Sequence, residues 1–238
     1  MIDVRRGADR YSGGEPEAGI ETRHAFSFSG FYDPDNVWFG LLVACNEERL
    51  APGAGFAEHT HRDTEIVTWV TEGELEHRDA EGRVARLRAG DAQWLGAGSG
   101  VRHVERNAGS GPLHFLQMWL HPDVFGARPG YRAVTAPAAK GPGLTLLASG
   151  SPDATPPLRL RQRAAELRVG RPLVPDQVVL PAAPFCYLHV LRGTVRLDGS
   201  LLQPGDAARL TAEPPLTAFA AGGAEYVLWT MHGEPGPA

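Results

Sequence analysis

Apolar residues along this chain occur in short runs interrupted every few positions by glycine or proline, and long stretches with helical periodicity are missing. Runs of this kind predict β-strands, here over residues 38–44, 66–71, 84–87, 92–95, 101–106 and 113–120, with 79–82 turning between two of them. A second series is predicted over 178–180, 187–191, 195–197, 207–210 and 226–230, with Asp198-Gly199 as a tight hairpin. Between the two series, residues 131–157 are rich in Pro, Gly, Ala and Ser and read as a linker followed by the opening of a new unit. Residues 158–167 carry the best helical pattern, although the same residues also read as a strand. The expected fold class is all-β, two tandem small β-barrels divided between residues 1–134 and 135–238.

The two halves repeat one plan. Trp69 to Leu75, followed by Leu87-Arg88-Ala89-Gly90-Asp91, has a counterpart in His189 to Val195, followed by Leu202-Gln203-Pro204-Gly205-Asp206. A strand, a Gly turn, a hairpin and a Gly-Asp turn recur in the same order.

Composition narrows the partners. With 23 Lys plus Arg against 28 Asp plus Glu, the net charge of −5 has the wrong sign for long-range attraction to a phosphate backbone or an anionic lipid surface. Neither direct nucleic-acid binding nor membrane association is expected, and a small ligand or a protein partner is favoured. Residues 1–10 alternate charges with single apolar side chains and lack the apolar stretch of a signal peptide or membrane span, so the expected location is the cytoplasm. Cys45 and Cys186 fit no metal or redox spacing and are expected to be two buried thiols.

The chemistry concentrates in two short motifs. His59-Thr60-His61 places two imidazoles two residues apart, and His103-Val104-Glu105 does the same with an imidazole and a carboxylate. Residues i and i+2 of a strand face the same side, so two such pairs pointing into a small barrel supply three neutral nitrogens and one oxygen to a single ion. Such a donor set suits Fe(II), Mn(II), Ni(II), Cu(II) or Zn(II). The repeat acts as a control: aligned on Gly73 and Gly193, His59, His61 and Glu65 fall on Val179, Pro181 and Phe185, and aligned on the Gly-Asp turns, His103 and Glu105 fall on Ala218 and Ala220. The second barrel is expected to be structural and to shape the entrance of the first.

The motifs carry a family resemblance. Gly53, His59, His61, Glu65 and Gly73, then Gly90, Gly100, His103 and Asn107, resemble the two motifs of the cupin superfamily. The run from His24 to Pro34, that from Pro52 to Thr68, Gln93, the run from Ala97 to His103 and Leu116-Gln117-Met118-Trp119 together resemble the pirin family, which is bicupin. The resemblance implies two tandem barrels of the double-stranded β-helix type, with a metal, foremost iron(II), held by His59, His61, His103 and Glu105. Glu65, the ligand position in many other cupins, is then left to orient a ligand histidine or to pair with Arg62 or another arginine. The resemblance further implies quercetin 2,3-dioxygenase activity, in which dioxygen opens the ring of a flavonol or similar enol with release of carbon monoxide, and Glu105 is the candidate base. The alternative reading is a non-enzymatic iron sensor that regulates a protein partner. His24, His77, His114, His121, His189 and His232 are expected to be structural or superficial, with His114 the one placed to reach the pocket, and Trp38, Trp94 and Phe115 are expected in the core.

Overall fold

The computed structural model of the protein describes residues 1–138 and 140–235. Its strands form two large and two small sheets, grouped as two similar units. In the first unit a seven-stranded sheet runs in the order Gly130–Val134, Ala92–Gly96, Glu65–Glu72, Leu113–Leu120, Leu42–Leu50, Ile20–His24 and Tyr11–Glu15. It faces a four-stranded sheet of Gly55–His61, Val101–Asn107, Glu74–Asp79 and Val84–Arg88. The second unit has a seven-stranded sheet of Ile2–Arg5, Ala207–Thr211, Phe185–Arg192, Glu225–Met231, Ala165–Arg171, Gly141–Ser149 and Leu158–Arg159. Its four-stranded sheet is Asp176–Val179, Thr217–Ala220, Val195–Leu197 and Ser200–Leu202. This is the expected all-β bicupin architecture, and among the described residues the helical elements are the short 3-10 turns Gly7–Asp9 and Pro16–Ala18.

Several local expectations are corrected. The strand expected over 38–44 is Leu42–Leu50, because Phe39 and Leu42 exchange backbone hydrogen bonds at 2.9 and 3.1 Å and close a reversal there. The expected linker contains the strands Gly130–Val134 and Gly141–Ser149. The expected helix is absent: residues 158–167 open the strands Leu158–Arg159 and Ala165–Arg171, where buried Ala165, Leu167 and Val169 alternate with Glu166 and Arg168 at the period of a strand. One strand crosses the expected division, since Ile2–Arg5 lies in the second large sheet with Ile2 opposite Leu210.

The repeated glycine has a steric cause. Gly73 has φ of +78°, and a Cβ there would lie 2.5 Å from the Pro112 carbonyl oxygen; Gly193 has φ of +65°, and a Cβ would meet the Ala224 backbone at 2.9 Å.

Alternation along the strands sorts the side chains into three apolar clusters. Val67, Trp69, Leu116 and Met118 of the first large sheet pack with Leu167, Val227 and Trp229 of the second, so the large sheets share one core. Full burial of each such side chain stabilises the fold by about 1.5–3 kcal/mol. Leu188, Val190, Leu197 and Leu228 fill the second barrel. In the first barrel Ile20, Leu50, Val70, Leu75, Leu113 and Phe115 form a further cluster, and the remaining interior is polar.

Candidate metal centre

His59 and His103 lie directly opposite each other on the adjacent strands Gly55–His61 and Val101–Asn107. Their Nε2 atoms are 3.0 Å apart. The His61 ring is 4.7 Å from that of His59 and 4.9 Å from that of His103, centroid to centroid. Each of the three imidazoles offers one nitrogen within 4.8 Å of the others. Nδ1 of His59 lies 2.8 Å from the Ala57 carbonyl oxygen, which can only accept, so this nitrogen carries the proton and Nε2 presents its lone pair. Nδ1 of His103 is 3.2 Å from Nδ1 of His77, again leaving Nε2 turned toward His59. Nε2 of His61 is buried and has no hydrogen-bond partner among the described residues.

A buried ring nitrogen without a partner, beside two others aimed at the same point, fits a divalent cation. The electrostatics agree. Burial, reinforced by the neighbouring imidazoles His103 and His59, pushes the His61 pKa down to about 3. Burial also pushes His103 down to about 4, against the attraction of Glu105. Both rings are neutral near pH 7, the form that binds metal.

Glu105 follows His103 on the same face and is 1% exposed. Gln93 donates from Nε2 to its Oε1 at 2.6 Å, and Gln117 donates from Nε2 to its Oε2 at 2.8 Å. Each carboxamide is oriented by a donor on its own oxygen: the Tyr131 hydroxyl at 2.8 Å from Gln93 Oε1, and Trp119 Nε1 at 2.9 Å from Gln117 Oε1. Burial raises the Glu105 pKa, but hydrogen bonding from His77, the charges of His103 and His77, and the Gln117 donor outweigh it and hold the group at about 2. Glu105 lies outside the group of three imidazoles: its carboxylate forms a second group with His77 and His103, ligand atoms within 4.8 Å of one another, and His103 is shared between the two. The cluster opens into a cavity of about 400 Å³ lined by His59, His61, Glu105 and Gln117 and by the rings of Phe28 and Trp119.

Residues 6–120 match the Pirin family. The chain is 35% identical to a pirin-like protein of Caulobacter vibrioides, covering 96% of this chain and 98% of that one. This chain belongs to the pirin family. Identity reaches 38%, over 99% of this chain and 97% of the other, with a Mycobacterium bovis protein that bears a provisional quercetin 2,3-dioxygenase name. The crystal structure of the bacterial pirin YhhW from Escherichia coli in complex with nickel(II) superimposes with a TM-score of 0.89 at 30% identity, over 99% of this chain and 100% of that one.

Within this pirin-family chain the second barrel shows what the centre requires. Gln93, Thr68, Gln117, Asn46 and His24 lie in register as one polar row across the first large sheet. Counted from the repeated glycines and Gly-Asp turns, Gln93 and Thr68 correspond to Ala208 and Leu188, and their register partner Leu228 stands where Gln117 does; all three are buried in the second core. The register also refines the correspondence of the small sheets. Ala218 faces Leu197 as Glu105 faces His77, so Glu105 maps onto Ala218 and His103 onto Leu216, two residues from the positions given by the Gly-Asp turns alone. Apolar side chains replace the polar interior while the strand plan persists.

Expectations about four other residues change. His77, expected to be structural or superficial, is fully buried, touches His103 and stacks on Tyr131 with ring centroids 4.4 Å apart. The alternation Leu75, His77, Asp79 in a polar strand was the signal for its inward direction. His114 does not reach the cavity: even-numbered residues of Leu113–Leu120 point away from the barrel interior, and His114 Nε2 lies 3.4 Å from Glu47. Among the described residues Glu65 orients no histidine and pairs with no arginine side chain. Its carboxylate accepts from Trp94 Nε1 at 2.7 Å and from the backbone amides of Arg161 at 2.9 Å and Gln162 at 2.6 Å, tying the two units together. Trp38 is 47% exposed and outside the core, whereas Trp94 and Phe115 are buried as expected.

Proposed function

We propose that this chain is a metal-dependent dioxygenase of the pirin type that opens the ring of quercetin-like flavonols with dioxygen, the metal being held by His59, His61, His103 and Glu105. The observation that carries this reading is the convergence of three imidazoles, one with a buried nitrogen that has no partner among the described residues, at the wall of an aromatic-lined cavity. An Escherichia coli protein named quercetin 2,3-dioxygenase, 31% identical over 97% of this chain and 99% of its own length, supports the choice of substrate class. Iron(II) is the proposed ion, and the nickel in the Escherichia coli pirin structure supports a divalent one.

A bound redox-active ion would supply Lewis acidity to the hydroxyl and ketone oxygens of an enol and one-electron exchange with dioxygen. The chain's own residues do the rest. Gln93 and Gln117 fix the carboxylate of Glu105, and His77 fixes the ring of His103. Phe28 and Trp119, whose rings meet edge to face at 5.0 Å, offer flat apolar walls for a planar substrate. In this reading Glu105 receives the flavonol hydroxyl proton, and with a pKa of about 2 it serves only an acidified hydroxyl.

The test is aerobic bleaching of quercetin absorbance by iron(II)-loaded protein. Bleaching is expected in the native protein and is lost in His59→Ala. Bleaching at an undiminished rate in that variant would sink the reading. Iron-dependent binding of a protein partner by a chain without turnover would point to the sensor.

A further inference from the structure

The cavity beside the metal centre is lined by charge of one sign. Glu15, Glu48, Glu58 and Glu105 face it, and among the described residues no arginine or lysine does. Glu105 is engaged by two carboxamides, Glu15 is exposed, and Glu58 is 50% exposed beside Arg102. Glu48 differs from all three. It is 4% exposed, its Oε2 accepts from the Thr22 hydroxyl, and its Oε1 accepts no hydrogen bond from any described residue. No cationic side chain among the described residues pairs with it.

Its place is set by the strand. Asn46 and Glu48 point to the same side of Leu42–Leu50, and Asn46 stands opposite Gln117, the residue that holds Glu105. Two residues of strand span about 6.8 Å, so Glu48 sits roughly that far along the cavity wall from the Gln117 position. Of the neighbouring polar groups of this wall, both ends of the Gln117 carboxamide are bonded and Asn46 Oδ1 is 3.0 Å from His24 Nδ1. Ile20, Phe28 and Phe56 make the surface around it apolar. Burial pushes the Glu48 pKa up to about 7 against the Thr22 hydrogen bond, with the Glu105 charge adding to the rise. A desolvated carboxyl with a spare oxygen and no cation is costly, and a ligand hydroxyl relieves that cost.

We infer that Glu48 recognises a hydroxyl on a substrate ring remote from the chelating oxygens, and thereby selects uncharged polyhydroxylated aromatic enols over ligands bearing carboxylate or phosphate groups. This rests on the flavonol reading above. Glu48 is a specificity residue, acting through a hydrogen bond at a distance from the bond that breaks.

The test compares quercetin with 3-hydroxyflavone, which keeps the chelating oxygens and lacks the remote hydroxyls. Binding to the metal-loaded protein is measured under argon by tryptophan fluorescence quenching, in the native chain, Glu48→Gln and Glu48→Leu. Native protein is expected to prefer quercetin. Glu48→Leu should lose about tenfold or more in quercetin affinity, as expected for a hydrogen bond to a carboxylate, while 3-hydroxyflavone affinity stays within about twofold. Glu48→Gln should fall between the two. Unchanged quercetin affinity in Glu48→Leu, or an equal loss for both flavonols, overturns the assignment of Glu48 alone. Native protein that binds neither flavonol overturns the substrate reading with it. Loss of metal in Glu48→Gln also overturns the inference, by making Glu48 part of the metal site.

Discussion

Gln117 joins the two sheets of the first barrel at Glu105, Nε2 to Oε2 at 2.8 Å, while its own Oε1 is fixed by Trp119 Nε1 at 2.9 Å. The carboxylate is therefore aimed by the large sheet although it grows from the small one. Gln117→Leu removes that donor at similar bulk. Metal affinity, read by competition with a chelator, is expected to fall roughly 10- to 100-fold, as for other groups that orient a metal ligand. An affinity within about twofold of native would show that Glu105 needs no such support.

His77 supports His103 from the opposite side. In His77→Phe the ring still stacks on Tyr131, but the nitrogen 3.2 Å from His103 Nδ1 is gone. Metal affinity should drop by roughly tenfold or more with little change in thermal stability. Native affinity would reduce His77 to packing.

Glu65 makes the contrasting prediction. Its substitution by Ala strands two backbone amides and an indole N–H at the junction of the units, a loss on the order of 2–4 kcal/mol in chemical denaturation. The metal content of the folded variant should remain native, and its disappearance would return Glu65 to the ligand set.

How much of this was readable from the chain follows from where each side chain points. The convergence of His59, His61 and His103 was legible because spacing of two on a strand defines a face whatever the neighbours are. The strand Leu113–Leu120 was legible as an apolar run, broken only at His114 and Gln117. Glu74–Asp79 was not, since its inward residues His77 and Asp79 are polar and its alternation is invisible to a hydrophobic pattern. Glu65 was misread because the parity of its strand, with Val67 and Trp69 turned toward the second unit, is decided by a core that forms between distant segments. Ile2–Arg5 crosses to the second sheet by pairing with residues some two hundred positions away, which no local signal encodes.

The buried groups of the site give the metal-free protein two opposed pH dependences. His61 and His103 fall from 6.5 in the unfolded chain to about 3 and about 4, so their contribution is complete above pH 6.5 and is lost as pH falls through those lower values. Glu48 rises from 4.5 to about 7, so its contribution is complete below pH 4.5 and is lost as pH rises through 7. Glu48→Gln removes only the second dependence. Urea titrations of the metal-free proteins should find this variant more stable than native at pH 8, on the order of 1–3 kcal/mol, with the gap closing by pH 4.5. A gap that does not depend on pH contradicts the assignment.

The proposed centre is a single ion held by three imidazoles and one carboxylate of the first barrel. Anomalous diffraction from crystals of iron(II)- or nickel(II)-loaded protein tests it most directly. One peak per chain is expected, bounded by Nε2 of His59, His61 and His103 and by the Glu105 carboxylate, with metal–nitrogen distances of about 2.0–2.2 Å. A peak elsewhere, or none at this cluster in protein shown to contain stoichiometric metal, would contradict it.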